Sequence, residues 1–323
     1  MTRHKKTVSR RDLLAAIPLL AIWGPASGAP TGQGATAPEG ESVKRNPANG
    51  RIGLALGAGG ANGLAHIAML EVLDRMKLRP HRIAGSSIGA VIGAMYASGM
   101  SAAKIRELVE QFFVSGDTGL MRKLISDQAM NWLELVELEV GNGGLLDSQR
   151  ILSHFYDSIS AKTFADLEVR LDIVASNLWG MEQVVLNDGA LLPAVTASMA
   201  IPGIFEPVEM DGNVLIDGGA VNPVPWDLLF DDCDIVIGID VSGVRSRPES
   251  RETGYFEILF NSIKVMQNAI IAEKTRHRAP DILIAPQIKD IRALEFYNAA
   301  AVFEQAAPAQ KQLEDELTAL LSA

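Results

Sequence analysis

The sequence predicts an α/β fold in which helices cover both faces of a mainly parallel sheet. Two observations support this prediction. Apolar runs of strand length alternate with longer segments of helical periodicity, and glycine-rich turns lie where a strand passes into a helix. The chain has 323 residues, of which 48% are hydrophobic and 21% charged, which is sufficient for a large buried core. We therefore expect one folded α/β domain rather than a disordered or fibrous chain.

The first 29 residues have the pattern of an export signal. A basic stretch contains the pair Arg10-Arg11, an apolar segment of 11 residues runs from Leu13 to Trp23, and small residues follow as far as Ala29. The apolar segment is too short to cross a hydrocarbon layer of ~30 Å as a helix, and the arginine pair is typical of twin-arginine signals. The alternatives are a start-anchor and a disordered basic tail. We expect a periplasmic or secreted protein that does not span a membrane.

Residues 30–50 are rich in Pro, Gly, Ser and Thr, so we expect a flexible linker ahead of a folded domain at residues 51–323. Loss of residues 1–29, with five Lys/Arg and one Asp, takes the formal net charge from −10 to −14. Such a chain should repel nucleic acid and anionic bilayers, so any transient contact with a membrane surface must be local and apolar. Cys233 is the only cysteine, which excludes an intrachain disulfide and a Cys-based zinc site.

Strands and helices alternate from Arg51 onward. The segments RIGLALG, GLAHIAMLEVLDRM, HRIAGSS and IGAVIGAMYASG predict the strand, helix, strand and helix of a βαβ arrangement. Further strands are predicted at 170–175, 181–186, 214–216, 234–240 and 281–285. Further helices are predicted at 121–138, 148–159, 191–199, 255–276 and 309–321. For the apolar-rich helix at 121–138 three roles are open: it docks on the core, covers the site or dips into a bilayer.

The segment Gly85-Ser86-Ser87-Ile88-Gly89 matches the pattern G-x-S-x-G and lies between a predicted strand and a predicted helix. In that context the pattern describes a sharp turn that exposes Ser87 as a nucleophile, while Gly85 and Gly89 leave room for the bend and for packing of the helix. The positive end of the helix dipole would also favour negative charge at the serine. The alternative is that Ser87 is only a small residue that opens a helix.

A glycine-rich loop, GAGGANG, begins at Gly57 between the first predicted strand and the first predicted helix. Backbone N–H groups in such a loop converge on an anion, which is either a nucleotide phosphate or the oxyanion of an acyl-transfer intermediate. The dinucleotide pattern G-x-G-x-x-G fails at its sixth position, Asn62, and no Lys-Ser/Thr pair follows as in a phosphate loop. The loop therefore favours the oxyanion.

A histidine is the usual base for a nucleophilic serine, but no histidine here lies in a convincing motif. The five candidates belong to the signal, to the start of a strand or to predicted helices: His4, His66, His81, His154 and His277. His66 is near the glycine loop, yet its apolar neighbours indicate packing in the core. The sequence therefore offers no clear Ser-His-Asp triad.

Asp217 is the stronger candidate for the base. It ends a short apolar strand, and the two glycines that follow let the chain turn tightly towards another loop. In a partly dehydrated pocket, burial would raise the basicity of this carboxylate, which could then take the proton of Ser87 directly. The alternative is an aspartate that caps the turn before Asn222-Pro223. Asp240, which also ends a predicted strand, is a weaker rival.

Four ordered stretches together resemble the patatin-like phospholipases. They are the glycine loop with the helix start GLAHIAML, the GSSIG turn, the segment ASMAIPGIFEPV from Ala197 to Val208, and the turn Asp217-Gly218-Gly219. The resemblance covers roughly residues 51–241. It implies a three-layer α/β/α fold and a Ser-Asp dyad that works without a catalytic histidine, metal or cofactor.

Matched residue by residue, the resemblance gives Ser87 the position of the nucleophile and Asp217 that of the general base. Glycines of the oxyanion loop are matched by Gly57, Gly59 and Gly60. The chain departs from the family pattern at two positions, because Ala58 replaces a glycine and Asn62 stands where the family has a cation. These departures bear on oxyanion stabilisation and on head-group preference.

The resemblance implies hydrolysis of acyl esters in phospholipids, lysophospholipids or simpler lipids through an acyl-enzyme. Two other classes of function stay open. One is a catalytically weak lipid- or acyl-binding protein on the same fold, which the residues Ala58 and Asn62 make conceivable. The other is a nucleotide-binding enzyme, against which the broken glycine pattern argues.

Overall fold

The computed structural model describes residues 50–113, 156–244 and 255–322. The predicted export signal and nearly all of the linker lie outside these residues, and so does the predicted helix at 121–138. Only the last residues of the helix predicted at 148–159 fall within them. The export signal, the linker and the helix at 121–138 therefore stay predictions.

Eight strands form one mixed sheet in the described part of the chain. They are β1 (Ile52–Leu56), β2 (Arg82–Ser86), β3 (Arg170–Asn177), β4 (Glu182–Leu186), β5 (Val208–Met210), β6 (Asn213–Asp217), β7 (Ile235–Ile239) and β8 (Ile282–Ile284). Hydrogen-bonded neighbours follow the path β5-β6-β3-β2-β1-β7-β8, and β4 pairs with the edge of β3 opposite to β2 and β6. The pairings among β3, β2, β1, β7 and β8 are parallel, whereas those of β4 and β6 with β3 and of β5 with β6 are antiparallel. The predicted, mainly parallel sheet is confirmed.

Six α-helices accompany the sheet within the same described ranges. They are α1 (Ala65–Arg75), α2 (Ile88–Ala97), α3 (Ala102–Phe113), α4 (Leu191–Ser198), α5 (Tyr255–His277) and α6 (Ala299–Leu321). A short 3-10 helix, Gly60–Leu64, leads from the glycine loop into α1.

Both faces of the central strands are buried, because successive residues of a strand point to opposite sides. Leu54 and Leu56 of β1 lie in a large apolar core with residues of α1, α2, α3, α4 and α6. Ala55, between them, lies in a second core with Trp226 and with Ile271 of α5. Helices therefore cover both faces, and the fold has the predicted three layers, α/β/α.

Element bounds agree with the predictions to within about two residues, with three exceptions. The helix α6 begins at Ala299 rather than at residue 309. The prediction started after Pro308 because an internal proline usually breaks a helix, but this helix continues through it. The helix α3 was not predicted, although Ile105, Val109 and Phe113 form a buried stripe at helical spacing. The strand β5 was also missed, since three residues are too few to show a period of two.

Candidate active site

Ser87 stands between the last residue of β2 and the first residue of α2 in a strained backbone conformation. Its φ of 56° and ψ of −126° lie outside the regions that residues with a side chain favour. The flanking glycines make this turn possible. A Cβ atom on Gly85 would lie 2.7 Å from the Cα atom of Ala90, and one on Gly89 would lie 2.1 Å from the carbonyl oxygen of Leu56. The turn therefore holds Ser87 at the N-terminus of α2, where the helix dipole favours negative charge.

The antiparallel strand β6 brings Asp217 to Ser87. The strand β4 pairs with one edge of β3 in its C-terminal half. The strands β2 and β6 therefore both pair with the other edge of β3, one after the other along its length. The strand β2 ends with Ser86 opposite Val174, and β6 runs the other way and ends with Asp217 opposite Ala175. The C-terminal ends of the two strands therefore meet, although Ser87 and Asp217 are 130 residues apart in the chain.

The hydroxyl group of Ser87 donates a hydrogen bond to the carboxylate of Asp217, with 2.6 Å between Oγ and Oδ2. Both side chains are almost fully buried. The second carboxylate oxygen, Oδ1, accepts a hydrogen bond from the N–H group of Gly219 at 2.7 Å. The backbone N–H group of Asp217 donates to the carbonyl oxygen of Ala200 at 3.0 Å. These bonds fix the carboxylate in the orientation that faces the hydroxyl group.

Burial raises the pKa of Asp217 to about 6, because removal of a carboxylate from water disfavours its charged form. The hydrogen bonds from Ser87 and Gly219 act in the opposite direction, since they stabilise the carboxylate. The group is therefore mostly ionised at neutral pH and more basic than an aspartate in water. A general base needs both properties.

Two residues at the end of α4 complete the surroundings of Ser87. The Oγ atom of Ser198 accepts a hydrogen bond from the backbone N–H group of Ser87 at 2.8 Å and donates to the carbonyl oxygen of Val174 at 2.6 Å. The sulfur atom of Met199 lies 3.7 Å from the Ser87 hydroxyl. Neither residue was singled out from the sequence, where both lie inside ASMAIPGIFEPV and no local pattern marks them as partners of the serine.

The N–H groups of the glycine loop divide into two sets. Gly57 donates to the carbonyl oxygen of Ile239 at 3.1 Å, and the N–H group of Ala58 is also bound within the fold, at 2.8 Å. For Gly59 and Gly60, no described residue provides an acceptor. The N–H group of Gly57 therefore holds the loop within the fold, and the match of Gly57, Gly59 and Gly60 to the glycines of an oxyanion loop stays a prediction. The candidate donors are those of Gly59 and Gly60.

The backbone of the loop is held by contacts that leave no room for a side chain. A Cβ atom on Gly59 would lie 2.4 Å from the carbonyl oxygen of Val241. Gly60 has a φ of 58°, and a Cβ atom there would lie 2.4 Å from the carbonyl oxygen of Ala293. These close approaches mean that only glycine fits at either position without a shift of the loop.

His66, which is fully buried in α1, braces the same loop. Its Nε2 atom lies 2.8 Å from the carbonyl oxygen of Gly57. Because a carbonyl oxygen only accepts hydrogen bonds, Nε2 is assigned as the protonated nitrogen. Burial lowers the pKa of His66 to about 4, so the ring is neutral at physiological pH. His66 therefore supports the loop from within the core and does not reach the serine as a base.

Both departures from the family pattern are buried. A Cβ atom on Gly219 would lie 2.7 Å from the methyl group of Ala58, so the glycine loop packs closely against the turn that holds Asp217. Asn62 donates through Nδ2 to the carbonyl oxygen of Ser242 at 3.2 Å. Asn62 thus ties the loop to the segment after β7 instead of carrying a charge towards a ligand.

The rival bases lie elsewhere. Asp240 accepts hydrogen bonds through Oδ1 from the N–H and hydroxyl groups of Ser242, at 2.9 and 2.7 Å, and so caps the turn after β7. His81 precedes β2, at the end of that strand remote from the serine turn, and His277 ends α5. His154 lies outside the described residues.

Residues 50–113, 156–244 and 255–322 contain no group of three His, Cys, Asp or Glu side chains placed to hold a metal ion. None of the helices in these ranges combines the length and apolar composition needed to cross a membrane.

A serine on a strained strand-to-helix turn of an α/β/α fold has the geometry of a nucleophile elbow, and here a buried carboxylate contacts the serine directly. The family model for patatin-like phospholipases matches residues 54–230, more than half of the chain. The chain belongs to this family.

Relatives of this chain include proteins with and without an assigned activity. An uncharacterized NTE family protein of Mycobacterium tuberculosis is 31% identical over 205 residues, which are 63% of this chain and 52% of that protein. Lysophospholipase NTE1 of Kluyveromyces lactis is 27% identical over 197 residues, which are 61% of this chain and 13% of that protein. The chain thus matches about half, or less, of the length of these relatives. Among solved structures, VipD from Legionella pneumophila is similar with a TM-score of 0.47 and 14% identity, over 84% of this chain and 66% of VipD.

Proposed function

We propose that this protein is a serine lipid acyl hydrolase that cleaves carboxylic ester bonds of phospholipids, lysophospholipids or related lipids through a Ser87–Asp217 dyad. The observation that carries the proposal is the 2.6 Å hydrogen bond from the strained Ser87 to a buried carboxylate of raised pKa. Membership of the patatin-like phospholipase family supports a lipid ester as the substrate. The similarity to a lysophospholipase of Kluyveromyces lactis points in the same direction.

In the first half of the reaction, the Oγ atom of Ser87 attacks the carbonyl carbon of the ester while Asp217 takes the hydroxyl proton. The N–H groups of Gly59 and Gly60 stabilise the oxyanion that forms. The bond between the carbonyl carbon and the alcohol oxygen of the lipid then breaks, and Asp217 gives its proton to that oxygen. The products are an acyl ester on Ser87 and the free alcohol.

In the second half, a water molecule attacks the acyl carbon of the acyl-enzyme. Asp217 takes a proton from the water and returns it to Oγ as the bond to Ser87 breaks. A free fatty acid leaves. The proton balance closes on Asp217, which takes and returns one proton in each half-reaction.

A small apolar pocket lies between α2 and α4, close to the serine turn. Val91 is four residues after Ser87 on α2, and Val195 is four residues before Met199 at the end of α4. The pocket therefore begins about one helical turn from the serine. The residues that line it are Val91, Ala94, Tyr156, Ile159, Leu191, Leu192 and Val195.

The test is turnover of a panel of esters by the full chain. We expect release of fatty acid from phosphatidylcholine and lysophosphatidylcholine. Because each buried methylene group is worth ~0.8 kcal/mol, kcat/KM for p-nitrophenyl esters should rise on the order of 10-fold or more from acetate to octanoate. If the folded chain binds lipid yet turns over none of these esters, the proposal fails and the protein is a lipid-binding member of the fold.

The pH dependence of turnover follows from the raised pKa of Asp217. Its carboxylate must be ionised to take the proton, so kcat/KM for a neutral p-nitrophenyl ester should rise with pH through about 6 and then level off. The measurement is a rate profile from pH 5 to 8, with circular dichroism as a control that the chain stays folded. A rate that falls as the pH rises through this range would contradict the assignment of the base.

A further inference from the structure

We infer that the turn between β3 and β4, Leu178–Met181, inserts into a zwitterionic lipid surface and so docks the active site on its substrate. We call this turn the β3–β4 tip. The inference rests on the proposed function, because a lipid hydrolase must meet its substrate in an aggregate.

The β3–β4 tip exposes large apolar side chains. Trp179 is 76% exposed, Met181 is 89% exposed and Leu178 is 37% exposed. Side chains in water contribute little to the core, so folding does not explain their type. Tryptophan in particular is enriched at membrane–water interfaces, where its ring is apolar and its N–H group stays near water.

The backbone of the β3–β4 tip is rigid because Asn177 holds it. The Oδ1 atom of Asn177 accepts hydrogen bonds from the N–H groups of Trp179 at 3.3 Å and Gly180 at 3.0 Å, and its carbonyl oxygen accepts one from Met181 at 2.9 Å. Its Nδ2 atom donates to Asn213 of β6 at 2.9 Å. The conformation of the turn is therefore fixed before it meets any surface.

Met181 occupies a position at which glycine would be less strained. Its φ of 54° lies in the left-handed region, which glycine adopts without cost and a residue with a Cβ atom does not. A bulky apolar residue that is both strained and exposed is not explained by stability. Such an outlier is a reason to look for a function in the side chain.

The β3–β4 tip lies at the same edge of the sheet as the serine turn. The strands β2 and β3 are parallel, with Ser86 opposite Val174. The end of β3 is three residues beyond Val174, so the tip projects about 10 Å past the serine turn. Val244, which is 45% exposed, follows the carboxyl end of β7 on the other side of β1 and β2. Exposed apolar residues thus flank the site on both sides.

The charge of the chain favours a neutral surface over an anionic one. The four residues of the β3–β4 tip include no charged side chain, and the whole chain has a formal net charge of −10. Attraction to anionic head groups therefore cannot drive the contact, whereas burial of apolar side chains can.

A protein partner fits the same surface less well. The three exposed side chains present on the order of 400 Å² of apolar area. That is about half of the ~800 Å² that each partner buries in a stable complex. A lipid surface needs no such extended complementary area.

The test compares the full chain with two matched double variants. The first, Trp179→Ser/Met181→Ser, removes the two most exposed side chains of the β3–β4 tip. The second, Val265→Ser/Met266→Ser, removes two apolar side chains from α5 that are 68% and 56% exposed. Turnover is measured on phosphatidylcholine vesicles and on a short, soluble p-nitrophenyl ester.

We expect the tip variant to lose about 10-fold or more in turnover of vesicles, since it forfeits the burial of two large side chains, while its turnover of the soluble ester changes less than about 2-fold. The α5 variant should match the wild type on both substrates. Equal loss on both substrates, or unchanged vesicle turnover in the tip variant, would overturn the inference.

A second readout decides the inference even if the chain hydrolyses nothing. In the Ser87→Ala background, brominated phosphatidylcholine should quench a component of tryptophan emission that Trp179→Phe removes. Added salt should leave this quenching unchanged. Insertion would be refuted if brominated vesicles do not quench the emission of Trp179. It would also be refuted if the tip variant changes from dimer to monomer while its contact with lipid stays the same.

Discussion

Ser87→Ala and Asp217→Asn should each lower kcat for ester hydrolysis by about 10³- to 10⁵-fold. The first change removes the atom that attacks the ester. The second keeps the shape of the side chain and its bond from Gly219, but the amide cannot take a proton. Because the two groups act as one unit, the double variant should be hardly slower than either single variant. The measurement is steady-state turnover of a p-nitrophenyl ester.

Two controls separate a loss of chemistry from a loss of structure. Asp240→Asn removes a carboxylate that caps a turn without touching Ser87, so its kcat should stay within about 10-fold of wild type. Asp217→Asn should also be folded. The raised pKa of Asp217 means that this carboxyl stabilises the fold below about pH 4, and that its contribution is lost as the pH rises through about 6. At pH 8 the asparagine variant should therefore have a Tm no lower than the wild type. An Asp217→Asn enzyme that stays active would contradict the dyad.

Gly60→Ala should lower kcat by about 10²- to 10³-fold, which is the effect of losing an oxyanion donor. The new Cβ atom would lie 2.4 Å from the carbonyl oxygen of Ala293, on a backbone with a φ of 58°. The loop must shift to relieve this contact, and the N–H groups of Gly59 and Gly60 shift with it. The measurement is kcat and KM for a p-nitrophenyl ester.

Gly212→Ala is the matched control for the glycine loop. Gly212 also has a left-handed φ, 77°, but nothing lies within 4 Å of its added Cβ atom. This variant has comparable backbone strain, roughly 1 kcal/mol, without displacing a loop, so its kcat should be unchanged. If Gly60→Ala is as active as Gly212→Ala, the loop does not stabilise the oxyanion.

The sequence was sufficient to find Ser87 and Asp217 as separate candidates. The pattern G-x-S-x-G between a predicted strand and a predicted helix indicates a sharp turn that exposes the serine. Asp217 ends an apolar strand and is followed by two glycines. Their contact was beyond local patterns, because it depends on β6 pairing antiparallel with the same edge of β3 that β2 uses. The family resemblance, rather than periodicity, placed the two residues together.

Other features depend on partners that lie far away in the chain. The carbonyl oxygen of Ile239, at the end of a different strand, accepts the hydrogen bond of the Gly57 N–H group. This distant partner therefore decides that Gly57 does not keep a free N–H group. The bond from Ser87 to Ser198 depends on where α4 ends. The exposure of Trp179 depends on how Asn177 folds the turn after β3. A pattern of apolar and polar residues contains none of this information.

The most direct test of the Ser87–Asp217 dyad is the site of covalent labelling by an active-site-directed fluorophosphonate, located by peptide mass spectrometry on the full chain. We predict one label per chain, on Ser87, with no labelling of Ser87→Ala and labelling of Asp217→Asn slowed by about 10²-fold or more. A label on any other residue, or equally rapid labelling of folded Asp217→Asn, would contradict the assignment of nucleophile and base.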